Sequence, residues 1–229
     1  MKEKSFSVNV VMIVLSYLAI MIALYMVFAW VPTERTMGVV QRIFYFHVPS
    51  AWVSFIAFFV VCVAGILFLR TGNEYWDKLA LASAEIGVLF ITLVLLTGPM
   101  WAKPVWNTFW TWDARLTTSF ILWLIYVAYL MVRQYTADSE RGARFAAVFG
   151  IIGFVDVPIV YMSIRWWRTL HPGAVIAGGK GSGLAPAMLQ TLMVSLAAFT
   201  ILYVTLLRLR LQAGQIEQET LKLKQKFEH

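Results

Sequence analysis

The amino-acid sequence predicts an all-α integral membrane protein of six transmembrane helices, with the N- and C-termini both cytoplasmic. Three observations carry that expectation. Of 229 residues, 60% are hydrophobic and only 14% are charged, with a mean hydropathy of +0.73, which leaves too little polar surface to clothe a soluble domain. Six apolar runs are long enough, at about 1.5 Å of rise per residue, to cross a hydrocarbon core of about 30 Å. Lysine and arginine are unevenly divided between the two sets of loops that these runs define.

The runs cover roughly 8 to 30, 48 to 69, 79 to 96, 116 to 132, 145 to 164 and 187 to 207. The first is too long and too uniformly apolar for a signal peptide, and no small-residue cleavage site follows it, so it reads as a span. The second carries Pro49 in its first turn, where a missing N–H does no harm, and has His47 just before its start. Glu85 lies in the third, near its cytoplasmic end. Asp113 precedes the fourth and suits its N-cap. The fifth holds Asp156 two residues before Pro158, which frees a backbone carbonyl and favours a kink. Ionisable groups at such depth are expensive. Because Glu85 and Asp156 belong to no series that would relay protons, each is expected to pair with another span or another subunit. After the sixth run, residues 213–229 read as a polar cytoplasmic tail behind a membrane unit of residues 1–212.

Orientation follows from the cations. Twelve lie at the termini and in the 70–78 and 133–144 loops, against seven on the other side: Arg35, Arg42, Lys103, Arg115, Arg165, Arg168 and Lys180. Cytoplasmic loops carry the excess, so both termini face inward, and the net charge of +7 needs no nucleic acid to explain it. The single cysteine, Cys62, sits in mid-span without a partner and excludes a disulfide framework or thiolate metal site within the chain. No Walker motif is present, so the chain does not itself hydrolyse ATP.

Three outer segments, 31–47, 97–115 and 165–186, gather the remaining chemistry. The middle one contains WAKPVWNTFWTWDARLTT, with Trp101, Trp106, Trp110 and Trp112 in twelve residues; the others bring QRIFYFHVPSAW and SIRWWRTLHPG. Two of the three histidines, His47 and His171, therefore flank the aromatic stretch, while His229 falls on the opposite side. A haem needs axial nitrogens, a broad aromatic surface and cations for its propionates. His47 and His171 suit the first need, Trp101, Trp106, Trp110 and Trp112 the second, and Arg42, Arg115, Arg165 or Arg168 the third, since guanidinium grips carboxylate through two parallel hydrogen bonds. The plainer alternative is an interfacial tryptophan belt with two interfacial histidines and Asp113 as a local cap.

These stretches resemble the tryptophan-rich WWD signature of haem-handling membrane proteins. Together with six spans and this length, WAKPVWNTFWTWDARLT, RIFYFHVPSAW and VPIVYMSIRWWRTLHPG are similar to the cytochrome c maturation protein C, or haem exporter protein C, family over residues 10 to 210. The resemblance implies a non-enzymatic protein of the bacterial inner membrane that holds b-type haem non-covalently on its periplasmic side. It implies His47 and His171 as axial ligands and Trp101 through Asp113 as the haem- and chaperone-facing segment. Its implied partners are a periplasmic haem chaperone, the ATPase and membrane subunits of an ABC transporter, a small single-span accessory subunit and the lipid bilayer. Two positions depart from the family pattern: Ala102 stands where glycine is usual, and Asp156 where an uncharged polar residue is expected. A b-type electron-transfer cytochrome is disfavoured because its histidines face each other inside the spans, and a haem lyase because it carries further spans and histidines. A plain transporter with an aromatic belt is the remaining alternative.

Overall fold

Apolar helices in a bilayer have no water to satisfy their backbone, so each crossing must close its own hydrogen bonds, and the described residues do so with seven α-helices in six candidate crossings. The computed structural model describes residues 2–136, 139–173 and 183–227; Lys180 and His229 lie outside them. Helix α1 (Lys2–Tyr25) ends in a π-helical turn, Met26–Trp30. A 3-10 turn, Val39–Ile43, leads into α2 (Phe44–Thr71), followed by α3 (Glu74–Trp106) and α4 (Ala114–Tyr135). Helices α5 (Glu140–Phe154) and α6 (Asp156–Trp166) share the fifth crossing, and α7 (Pro186–Phe227) forms the sixth.

Three boundaries differ from the sequence reading, each for a local reason. Helix α2 begins at Phe44, so His47 lies inside its first turns and Pro49 one turn later than expected. Helix α3 runs on through Pro99 and Pro104 to Trp106, because a proline removes one hydrogen bond without unwinding a helix packed by its neighbours. It stops at Asn107, whose φ of 57° is left-handed, a conformation that a short polar side chain tolerates. The tail continues the last span as one helix of 42 residues, about 63 Å long. In the fifth crossing the expected kink falls at Val155, one residue between α5 and α6 whose backbone stays right-handed helical: Pro158 lacks the N–H that would bond the Phe154 carbonyl, the last residue of α5.

Helix α2 is the hub of the bundle. The Phe58 ring stacks on Tyr126 of α4 with centroids 3.7 Å apart and planes 12° from parallel, and the Tyr126 hydroxyl donates to the Gly150 carbonyl of α5 at 3.0 Å. Close approach of α3 requires Gly87, where a Cβ would stand 2.5 Å from the Phe58 ring. Ser83 Oγ donates to the Ala57 carbonyl and accepts from the Tyr203 hydroxyl, both at 2.8 Å, tying α3 to α2 and α7. Helix α1 lies outermost against α7 and leaves Leu15, Leu18 and Ile22 exposed, as a lipid-facing helix does. Since lipid is as apolar as leucine, polar pairs hold it there: Ser16 with Thr205 at 2.7 Å, and Arg208 Nε donating to Asn9 Oδ1 at 2.8 Å.

The two intramembrane acids part company. Glu85 has its partner within the chain, for Arg210 grips it through Nε and Nη2, the latter at 2.8 Å from Oε1. Asp156 keeps its Oδ2 buried without a hydrogen-bond partner among the described residues, which leaves its expected partner in another span or another subunit a proposal.

Candidate functional site

One end of the bundle carries the π-helical turn after α1, the start of α2, the end of α3, the start of α4 and the segment after α6. Between them lies a cavity of about 60 Å³, lined by His47, Trp101, Trp106, Trp110, Arg115 and His171, with Gly98 and Ser119 completing its walls. That volume holds about two waters.

His47 and His171, 124 residues apart in sequence, meet here with ring centroids 6.5 Å apart and planes at 36°. His47 Nδ1 lies 2.9 Å from Thr97 Oγ1 on α3. His171 follows the last turn of α6; its backbone N–H donates to Thr169 Oγ1 at 3.1 Å, and its Nδ1 faces the Pro172 carbonyl at 2.9 Å. A carbonyl can only accept, so Nδ1 carries the proton and Nε2 keeps a bare lone pair. Burial pushes the His171 imidazole down to about 4, and the nearby Arg115 guanidinium pushes the same way against the opposing Pro172 carbonyl and Asp113. The ring is therefore neutral at pH 7, the form that ligates a metal.

The four tryptophans split into two groups. Trp101 is buried and packs edge-on to Trp106 at 5.6 Å; both line the cavity with Trp110. Trp112 is 74% exposed. Trp110 is shared with a second hollow of about 450 Å³ on the flank of α3 and α4, where Leu96, Trp112, Phe120 and Trp123 form an almost wholly apolar wall. The indole nitrogens of Trp101 and Trp110 are buried donors with no acceptor among the described residues. Orphaned donors of this kind are costly unless something supplies an oxygen.

Of the four candidate arginines, Arg115 alone lines the cavity. One of its nitrogens donates to the Val160 carbonyl of α6, and Asp113 fixes the helix turn that carries it. Asp113 Oδ1 accepts the Leu116 N–H at 3.1 Å and Oδ2 accepts the Thr111 hydroxyl at 3.0 Å, which makes it the N-cap of α4. Arg42 donates instead to the Phe28 carbonyl at 3.1 Å and lies over the Phe28 ring. Arg165 lies over Tyr161, and Arg165 and Arg168 are both exposed. Thr97, Gly98 and Ser119 went unnoticed in the sequence; the one hint was a Thr-Gly-Pro step at the end of an apolar run.

This constellation fits a haem in its donor set: two imidazoles on one cavity, orphaned N–H donors and a guanidinium suited to carboxylates.

The family model described as Heme exporter protein C matches residues 2–226. The Heme exporter protein C of Bradyrhizobium diazoefficiens is 39% identical over 178 residues, 78% of this chain and 68% of that protein. A putative cytochrome c biosynthesis ccmC-like mitochondrial protein of Marchantia polymorpha is 37% identical over 76% of this chain and 73% of its own. The Heme exporter protein C of Escherichia coli K12 is 34% identical over 81% of this chain and 74% of its own. A match that runs through all six crossings and both histidine-bearing segments, rather than through one motif, means that this chain belongs to the Heme exporter protein C family.

Proposed function

We propose that this protein binds haem non-covalently at the end of the bundle that carries His47 and His171 and presents it to a partner in the biogenesis of c-type cytochromes. The observation that carries the reading is the meeting of those two imidazoles across one cavity. Haem iron supplies an acceptor for two nitrogen lone pairs. The chain supplies the rest: Trp101, Trp106 and Trp110 an aromatic wall, and the indole N–H groups of Trp101 and Trp110, with Arg115, the donors for propionate oxygens. A cavity of about 60 Å³ is far below the several hundred that a drug-sized ligand needs, so uptake requires the 101–113 and 166–173 segments to part. A site that opens at a bundle end suits transfer, because a soluble partner reaches it without entering the bilayer.

The excess of twelve cations over seven supports an orientation with both termini in the cytoplasm and this site on the periplasmic face of a bacterial inner membrane. The exposed Phe109, Trp112, Trp166 and Trp167 then form the surface offered to a periplasmic haem chaperone. The relatives named as exporters suggest an ABC-type assembly, with ATPase and membrane subunits and a small single-span subunit as partners. The tail from 213 onward is a cytoplasmic extension of the membrane unit, and no catalytic step is assigned to the chain.

The test is the absorption spectrum of protein purified from haem-replete membranes, for wild type, His47→Ala, His171→Ala and the double variant. A Soret band weakened or shifted in each single variant and lost in the double is expected. An unchanged band in the double variant would put the haem elsewhere.

A further inference from the structure

We propose that Thr97 is a positioning residue that fixes the tautomer of His47 and so makes its Nε2 the ligand nitrogen; this rests on the haem-binding reading above. A threonine hydroxyl has one hydrogen to donate. In α3 the Thr97 Oγ1 lies 2.7 Å from the Leu93 carbonyl one turn earlier and 3.5 Å from the Val94 carbonyl. Carbonyls only accept, so the hydroxyl proton is committed to that turn. What Thr97 then offers to His47 Nδ1, 2.9 Å away, is a lone pair, and the imidazole must be the donor. A neutral ring with its proton on Nδ1 has a bare Nε2.

The helix backbone holds the same edge of the ring. Gly98 has no side chain, and a Cβ built there would stand 3.4 Å from Cε1 of His47. The Nδ1–Cε1 edge is thus seated along the Thr97–Gly98 step of α3. The opposite arrangement, a hydroxyl donating to Nδ1, would put the imidazole proton on Nε2 and block ligation. His171 reaches the same tautomer by another device, the Pro172 carbonyl, which no side-chain substitution removes. His47 is therefore the ligand whose orientation rests on a replaceable group. Outer-shell partners of metal-bound histidines are typically worth tenfold to a hundredfold in affinity.

The experiment uses full-length protein with 15N-labelled histidine, as wild type, Thr97→Val and Thr97→Ser. In the haem-free protein, nitrogen chemical shifts report the His47 tautomer; haem titration and the midpoint potential of the loaded protein follow. Expected are an Nδ1–H tautomer in wild type, a mixture with Nε2–H in Thr97→Val, a haem Kd raised about tenfold to a hundredfold in that variant, and recovery of tautomer and Kd in Thr97→Ser. Wild-type His47 protonated on Nε2 would overturn the proposal, and so would a Thr97→Val protein whose Kd stays within twofold of wild type. Wild-type protein that takes up no haem would overturn the reading beneath it and the proposal together, so the two failures are told apart.

Discussion

At the scale of single residues, the indoles of Trp101 and Trp110 separate two roles that a tryptophan can play. Both give the cavity an aromatic wall, and both bury an N–H that meets no acceptor among the described residues. Phenylalanine keeps much of the ring surface and deletes the donor. If the donors serve the propionates beside Arg115, Trp101→Phe, Trp110→Phe and Arg115→Gln should each weaken haem binding roughly tenfold or more, as loss of a hydrogen bond to a charged group does. The same variants should bind the dimethyl ester of haem as wild type does. Equal losses for haem and its ester would assign the tryptophans to ring contact alone. Arg42→Gln, Arg165→Gln and Arg168→Gln should leave affinity unchanged, since those side chains lie outside the cavity lining. Nothing in the sequence distinguishes these four arginines: residue type announces what a group can do, and only packing decides where it points. The histidines were legible for the opposite reason, because only three exist and two fall beside the aromatic stretch. Thr97 was illegible, since a threonine at the end of an apolar run looks the same whether or not a ring rests on its hydroxyl.

Elements explain how separate stretches of sequence become one site. The spans were readable from hydrophobicity, yet their ends were not. Helix α3 outruns its apolar run by ten residues and carries Trp101 and Trp106 into the cavity on a rigid support. Pro99 and Pro104 fall inside that extension, and neighbouring helices with the apolar surroundings outweigh the two lost bonds. The turn from Asn107 to Asp113 then reverses the chain, so that Trp110 returns to the cavity and Arg115 enters it from α4. Asp113 governs that return through the Leu116 N–H and the Thr111 hydroxyl. Asparagine caps about as well as aspartate, whereas alanine costs about 1 kcal/mol. Asp113→Asn should therefore keep the melting temperature of the haem-free protein near wild type while Asp113→Ala lowers it by a few degrees, as read by thermal unfolding in detergent, with haem affinity following the same order. Equal damage from both substitutions would make the negative charge, not the cap, the reason for this aspartate.

The whole molecule has a polarity that its parts lack. Every residue assigned to haem lies at one end of the bundle, while the Glu85–Arg210 and Arg208–Asn9 contacts tie the helices near the other. Six candidate crossings bring both termini to one side, away from the site, and the proposed orientation turns that side, with its excess of cations, to the cytoplasm. The seven cations on the site side dilute the bias, and Arg115 accounts for one of them by facing the cavity rather than the solvent. The chain offers a direct test because it has one cysteine, Cys62. In a Cys62→Ala background, a cysteine at Phe109, which is 60% exposed, should react with a membrane-impermeant maleimide on intact cells. A cysteine at Glu74, in the exposed first turn of α3, should react only after the membrane is opened. The reverse pattern would turn the protein over and leave the two histidines facing the cytoplasm, where no periplasmic partner could take haem from them.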